Sequence, residues 1–228
     1  MSEGPLLALI DFCIQAIIVC GLYLTSIYIV ESIVLYNFEY QDEIVKRKNL
    51  SYALVSFSHS IALAYIIKTV LSVSKTSFIL LFFLWLFSIV LLGFATKTYG
   101  VISKLSFNRL LVQKNIAVGI SYLGFIWGWC LIISSSMNHE LLEIKWYTIQ
   151  VILKILLSLI IIPIFKSGLI WIFKMQDDLH TPKGENKNEL TEAEFGYGLF
   201  EGAIFFTSCF LTTVITGNIH FGTFYPVF

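Results

Sequence analysis

The sequence predicts an all-α integral membrane protein with six transmembrane helices. Of its 228 residues, 57% are hydrophobic and only 13% are charged, whereas soluble domains carry about 25% charged residues. The apolar residues gather into six runs, and each run reaches the roughly 20 residues that a transmembrane helix needs. Because a soluble chain of this size could not remove so much apolar surface from water, the chain requires lipid as its solvent.

The six segments follow one another with short polar connections. Their approximate bounds are Pro5–Tyr36, Leu50–Val73, Thr76–Thr96, Asn115–Met137, Trp146–Phe173 and Phe195–Gly217. A transmembrane barrel would need short segments that alternate polar and apolar residues, and Phe78–Leu92 does not alternate. The first segment has no basic residue before it and no small-residue cleavage site after a short core, so we expect a retained anchor rather than a signal peptide.

The basic residues predict an orientation. The loops after the first, third and fifth segments hold ten of them, and the opposite loops hold two, Lys75 and Lys145. The ten are Lys46, Arg47, Lys48, Lys97, Lys104, Arg109, Lys114, Lys174, Lys183 and Lys187. The positive-inside rule places these loops in the cytoplasm and both termini outside. The formal net charge is zero, which gives no support to nucleic-acid binding.

Three of the segments are too long for one crossing, and their excess lies at the basic ends. Residues Tyr99–Leu111 mix apolar and charged side chains, which favours an amphipathic helix at the membrane interface. Pro163 lies near the middle of the fifth segment, where it would kink the helix. An ordinary tilt with a frayed end is the alternative explanation of the excess.

An internal repeat relates the even-numbered segments. Each opens on a polar residue followed by small residues, in Asn49–Ala53, Asn115–Gly119 and Glu194–Gly198. Each also carries small residues four positions apart, which allow helix backbones to approach closely; these are Ser56, Ser60, Gly124, Gly128, Gly198 and Gly202. We therefore expect three hairpin repeats, residues 1–73, 74–137 and 138–228, with the even-numbered helices packed inside. The alternative is that glycine and serine are simply common in membrane helices.

The stretch 49–67, a bulky third segment and the opening Asn115-Ile116-Ala117-Val118-Gly119 resemble the YjfL-like bacterial inner-membrane proteins, the family called domain of unknown function 350. The resemblance covers roughly residues 1–137. It implies helical hairpins and a bacterial inner-membrane location. The family has no established activity, so the resemblance implies no catalytic residue.

Charged residues inside membrane segments are functional candidates because burying them in lipid is costly. Asp11 and Lys154 have opposite charges and similar predicted depths near the outer ends of the first and fifth segments. We expect an ion pair that could act as a gate or a proton-coupled site. A structural pair, or two side chains that reach the interface separately, is the alternative.

His59 and Glu201 form the second candidate pair, in the cytoplasmic half. A histidine and a carboxylate could relay protons near neutral pH, and the alternative is one hydrogen bond that joins two helices. Lys166 and Glu31 are expected only to mark the inner membrane boundary. Three cysteines, Cys13, Cys130 and Cys209, share a predicted depth, but no His or carboxylate accompanies them at ligand spacing, so we expect neither a metal nor a cofactor.

The functional hypothesis is a non-enzymatic membrane scaffold, because no nucleophile elbow, phosphate-binding loop or zinc motif is present. We expect it to contact lipid, to self-associate, and to bind a cytoplasmic protein through residues 37–49, 97–114 and 174–194. The acidic residues 176–194 are the part of these loops with soluble character, and a solvated linker is the alternative for them. A small transporter or channel that uses the intramembrane charges is the alternative function.

Overall fold

The computed structural model describes residues 5–36, 38–74, 77–103, 107–137, 144–173 and 187–217. Side-chain surroundings are described for residues 9–36, 38–74, 77–103, 107–137, 147–173 and 195–217. Most of the predicted acidic segment, 176–194, therefore lies outside the described residues. Throughout the described ranges the regular secondary structure is helical.

Seven α-helices follow one another within these described ranges. They are α1 (Pro5–Ile29), α2 (Leu50–Ser74), α3 (Phe78–Ile102), α4 (Phe107–Val112), α5 (Ile116–Ser135), α6 (Ile144–Ile172) and α7 (Lys187–Gly217). Two π-helical segments, Val30–Val34 and Asp42–Lys46, lie between α1 and α2. All helices except α4 contain a stretch long and apolar enough to cross a membrane, so the described chain carries six candidate spans. The predicted six-helix membrane architecture is confirmed.

Two segments differ in detail from the prediction. The helix expected over Tyr99–Leu111 is divided, because α3 continues to Ile102 and a separate short helix, α4, begins at Phe107. α4 has the predicted amphipathic character, since Phe107 and Leu111 are buried. α6 continues through Pro163 as one helix of 29 residues, and the kink at this proline stays a prediction.

Helix α5 forms the centre of the bundle, between α2 and α7. In the 18-residue apolar stretch of each span, 67% of α5 is buried, compared with 56% of α2 and 11% of α1. The placement of even-numbered spans inside holds for α2 and α5. It is less distinct for α7, which is 44% buried, the same share as the bulky α3.

The connections into α2 and α5 have the same local structure. Lys48 and Lys114 both have a left-handed backbone, with φ of 49° and 62°, and each is followed by an asparagine. The Oδ1 atom of Asn49 accepts from the N–H of Tyr52, and that of Asn115 accepts from Val118, both at 3.2 Å. An N-cap of this kind satisfies one of the backbone donors that a helix leaves free at its start.

Small residues also make equivalent contacts on both sides of α5. A Cβ atom added to Gly119 would lie 2.9 Å from the carbonyl oxygen of Ser51, and one added to Gly198 would lie 2.6 Å from Cα of Ala117. Gly119 lies four residues after Asn115 and meets Ser51, which lies two residues after Asn49. Gly198 lies four residues after Glu194 and meets Ala117, which lies two residues after Asn115. Glu194 was expected to open the sixth segment, but α7 already begins at Lys187. The three-hairpin repeat stays a prediction, and these paired contacts are what it would produce.

Replacing Asn49 with alanine is expected to destabilise the protein by about 2–3 kcal/mol, and replacing Asn115 by about 1 kcal/mol. Both substitutions remove an N-cap. Asn49 additionally donates through Nδ2 to Glu43 Oε2 at 2.8 Å and to the carbonyl oxygen of Leu111 at 2.9 Å. Thermal unfolding of the two variants in detergent measures the difference. Equal losses would contradict a joining role for Asn49.

Candidate functional site

A buried ion pair lies between α6 and α7, near the end of the bundle at which α2, α5 and α7 begin, called here the basic end. Glu201 is 1% exposed, and its Oε1 atom lies 2.7 Å from Nζ of Lys166. Ser121 donates to Oε2 at 2.7 Å, and the Tyr197 hydroxyl donates to Oε1 at 3.2 Å. One carboxylate is thus held by donors from three helices.

The close approach of α5 and α7 positions this carboxylate. A Cβ atom on Gly202 would lie 3.3 Å from Cα of Ser121, so the backbone of α7 rests directly on α5 beside the Ser121–Glu201 hydrogen bond. Lys166 was expected only to mark the membrane boundary. It is instead the counter-ion of Glu201, although its side chain remains 24% exposed.

His59 belongs to a different polar chain. Its Nε2 atom lies 2.9 Å from the hydroxyl of Tyr122, which lies 2.7 Å from Oγ1 of Thr96. His59 is 2% exposed, and its Nδ1 atom has no hydrogen-bond partner among the described residues. The structure therefore gives His59 and Glu201 different partners, which are adjacent residues of α5, Tyr122 and Ser121.

An aromatic side chain packs against Tyr122 of this polar chain. The ring of Tyr99 meets the ring of Tyr122 edge to face, with centroids 5.1 Å apart, and its hydroxyl donates to the carbonyl oxygen of Val118 at 3.4 Å. The Tyr99 side chain is fully buried. Tyr99 was not among the sequence-predicted residues, because a buried aromatic in an apolar helix resembles any other core residue.

A second carboxylate is held by hydroxyl groups at the same end. Glu31 accepts from the hydroxyl of Tyr52 at 2.5 Å and from that of Ser56 at 2.9 Å. Glu31 lies in the first π-helical segment, and single π-turns frequently occur at functional positions because they redirect side chains. Ser56, predicted to pack helices, thus also donates to a carboxylate, while Ser60 is half-buried.

The structure does not bring Asp11 and Lys154 together as an ion pair. Asp11 lies on the exposed surface of α1. Lys154 is 4% exposed and donates to the carbonyl oxygen of Ser135 at 2.9 Å and to its hydroxyl at 3.1 Å. Ser135 is the last residue of α5, so Lys154 places a positive charge at the negative end of that helix.

The remaining predicted positions divide between packing and surface. Gly124, Gly128, Gly198 and Gly202 all lie in the contact between α5 and α7. Cys130 and Cys209 are buried and Cys13 is exposed, so the three thiols have different surroundings. In the described part of the chain, no three His, Cys, Asp or Glu side chains are grouped as they would be to hold a metal ion.

Comparison with known proteins identifies the family. The family described as Domain of Unknown Function (DUF350) matches residues 73–215, more than half of the chain. The chain belongs to this family. The matched region includes the ion pair and both faces of α5, and it extends beyond the resemblance seen in residues 1–137. Neither a curated protein nor a solved structure matches the chain.

Proposed function

We propose that this membrane protein is a non-enzymatic scaffold of the bacterial cytoplasmic membrane. The observation that carries the proposal is that the buried charged side chains of the described residues are already satisfied within the chain. Glu201 pairs with Lys166, Lys154 binds the end of α5, and Glu43 accepts from Arg47 and Asn49. A transport path requires charged groups that exchange partners, whereas these contacts hold helices together.

The distribution of basic residues supports the orientation. The basic end would face the cytoplasm under the positive-inside rule, and both termini would lie outside. A cytoplasmic protein would then meet residues 37–49, 97–114 and 174–194. The first two of these segments are joined in the described residues, because Arg47 donates to the carbonyl oxygen of Val112 at 3.2 Å and Asn49 donates to that of Leu111 at 2.9 Å.

A small transporter is the second candidate, and the Glu201 cluster favours it. A carboxylate with three donors, one of them a partly exposed lysine, could bind and release a proton or a cation at the basic end. Tyr197 is also only half-buried. This second candidate predicts that flux depends on the charge of Glu201.

One experiment separates the two candidates. The full chain is purified after in-cell cross-linking, with residues 176–186 native, replaced by a Gly/Ser linker of equal length, or scrambled at constant composition. If the protein is a scaffold, partner proteins should be cross-linked to the native chain and should be absent from both altered chains. The scrambled chain is the control for net charge.

In a separate preparation, the full chain is purified without cross-linking and reconstituted into liposomes to measure proton and potassium flux. The scaffold predicts flux equal to that of empty liposomes for the native chain and for Glu201→Gln. The scaffold proposal would be overturned in favour of transport if the native chain gave flux above that of empty liposomes and Glu201→Gln changed this flux. Unchanged cross-linking in the scrambled chain would show that this segment recognises no partner.

A further inference from the structure

The second basic segment differs from the other two in containing no acidic residue. No Asp or Glu lies between Glu43 and Glu140, and nine Lys and Arg residues fall in this interval. The positive-inside rule explains where basic residues lie but places little constraint on acidic ones. The exclusion of acids from residues 97–114 therefore indicates a negatively charged neighbour.

Lys97 lies on the face of α3 that is turned away from the bundle. Val90, Phe94 and Val101 are 60%, 54% and 77% exposed, and their spacing from Lys97 places all four side chains on one side of the helix. Lys97 is exposed as well. It therefore continues an apolar surface at the end of a membrane span, where a lysine can place its stem in lipid and its ammonium among headgroups.

Helix α4 presents a second exposed cation, Arg109. Phe107 stacks on Tyr122 with centroids 4.8 Å apart and meets Tyr99 edge to face at 5.5 Å, which anchors α4 against the bundle. Asn108 and Arg109 are exposed, and Val112 is 43% exposed. Helix α4 thus packs on the bundle by its apolar side and leaves its basic side exposed.

Two of the three cations of the preceding connection have acidic partners, whereas Lys48 is exposed and forms no ion pair with the described residues. Lys46 pairs with Asp42, whose hydrogen bond raises the pKa of the lysine ammonium. Arg47 is bound to Glu43. Lys97 and Arg109 form no ion pair with the described residues, so their charges remain available.

We propose that Lys97 and Arg109 bind the phosphate groups of anionic phospholipids in the leaflet at the basic end. Lipid is the favoured partner because Lys97 lies on the exposed apolar side of α3 and not within a polar surface. The inference does not depend on the scaffold function. It concerns the side chains of Lys97 and Arg109 and not the whole of residues 97–114.

The test titrates the full chain, purified in a neutral detergent, with phosphatidylglycerol or with phosphatidylcholine and measures bound lipid by native mass spectrometry. Each basic residue near an anionic surface contributes about fivefold to affinity. The Lys97→Gln/Arg109→Gln variant should bind phosphatidylglycerol roughly 30-fold more weakly than the native chain. Phosphatidylcholine binding should be weak in both.

Lys68→Gln is the matched control, because Lys68 is exposed and lies toward the end of α2 that is opposite the basic end. The affinity of Lys68→Gln for phosphatidylglycerol should equal that of the native chain. Lys97→Arg/Arg109→Lys keeps both charges and should bind like the native chain. Lys97→Gln alone, expected to lose about fivefold, replaces the double variant if that variant unfolds.

Several results would overturn the proposal. Equal binding of the two lipids would show that charge is not recognised, and native affinity in the Gln variants would place the lipid elsewhere. If inorganic phosphate at the same concentration displaces phosphatidylglycerol, the site binds a free anion. If the double variant loses a cross-linked protein but keeps its lipid, the surface binds protein.

Discussion

Replacing Gly124 with alanine is expected to destabilise the protein by about 3 kcal/mol. An added Cβ atom would overlap the carbonyl oxygen of Gly202 and lie 2.6 Å from its Cα atom. Both atoms belong to a helix backbone, so no side chain can rotate away and α5 and α7 must separate. Thermal unfolding in detergent should show a melting temperature lower by about 6–12 °C.

Gly168→Ala in α6 is the matched control, because no described atom beyond the neighbouring backbone of its own helix lies within 4 Å of the position of its Cβ atom. Alanine there should be neutral or stabilise by up to about 1 kcal/mol, through its better helix propensity. If Gly124→Ala unfolded at the temperature of Gly168→Ala, the backbone contact between α5 and α7 would not be a main source of stability.

Small residues at helical spacing indicate a close approach of two helices, because close helix packing is a local steric requirement. Gly124, Gly128, Gly198 and Gly202 all lie where two backbones meet. Ser56 has the same spacing but donates to Glu31. A serine can either pack or donate, and the choice depends on which group the neighbouring helix presents.

The spans themselves were predictable because lipid permits few alternatives to an apolar helix. The π-helical segment at Val30–Val34 was not, since an extra residue in a helical turn leaves no trace in apolar periodicity. The division between α3 and α4 was missed for a related reason. An amphipathic pattern shows that a helix lies at an interface but not where one helix ends and the next begins.

The charged candidate residues have partners that their depth in the membrane does not predict. Position along a helix predicts the level of a residue in the membrane but not the side on which its side chain lies. Asp11 and Lys154 have the same predicted depth, yet Lys154 donates a hydrogen bond to Ser135. Glu201 was paired with His59 by level, although the actual counter-ion, Lys166, lies on the preceding helix of the same predicted hairpin.

Replacing Lys166 with methionine is expected to destabilise the protein by about 3 kcal/mol, because Glu201 would keep a buried charge without its counter-ion. The side chain of Lys166 is 24% exposed, so the loss should fall at the lower end of the range for buried pairs. Glu201→Gln should lose only about 1 kcal/mol. The glutamine amide can accept from one of the two hydroxyl groups, of Ser121 or Tyr197, through its oxygen and donate to the other through its NH2 group, and Lys166 can turn toward water.

The double variant Lys166→Met/Glu201→Gln separates this explanation from a simple packing defect. If the unpaired carboxylate causes the loss, the double variant should be about 2 kcal/mol more stable than Lys166→Met alone, since the buried charge is then absent. Additive losses across the three variants would mean that Lys166 stabilises the bundle through its aliphatic stem. The ion pair would then contribute little to holding α6 against α7.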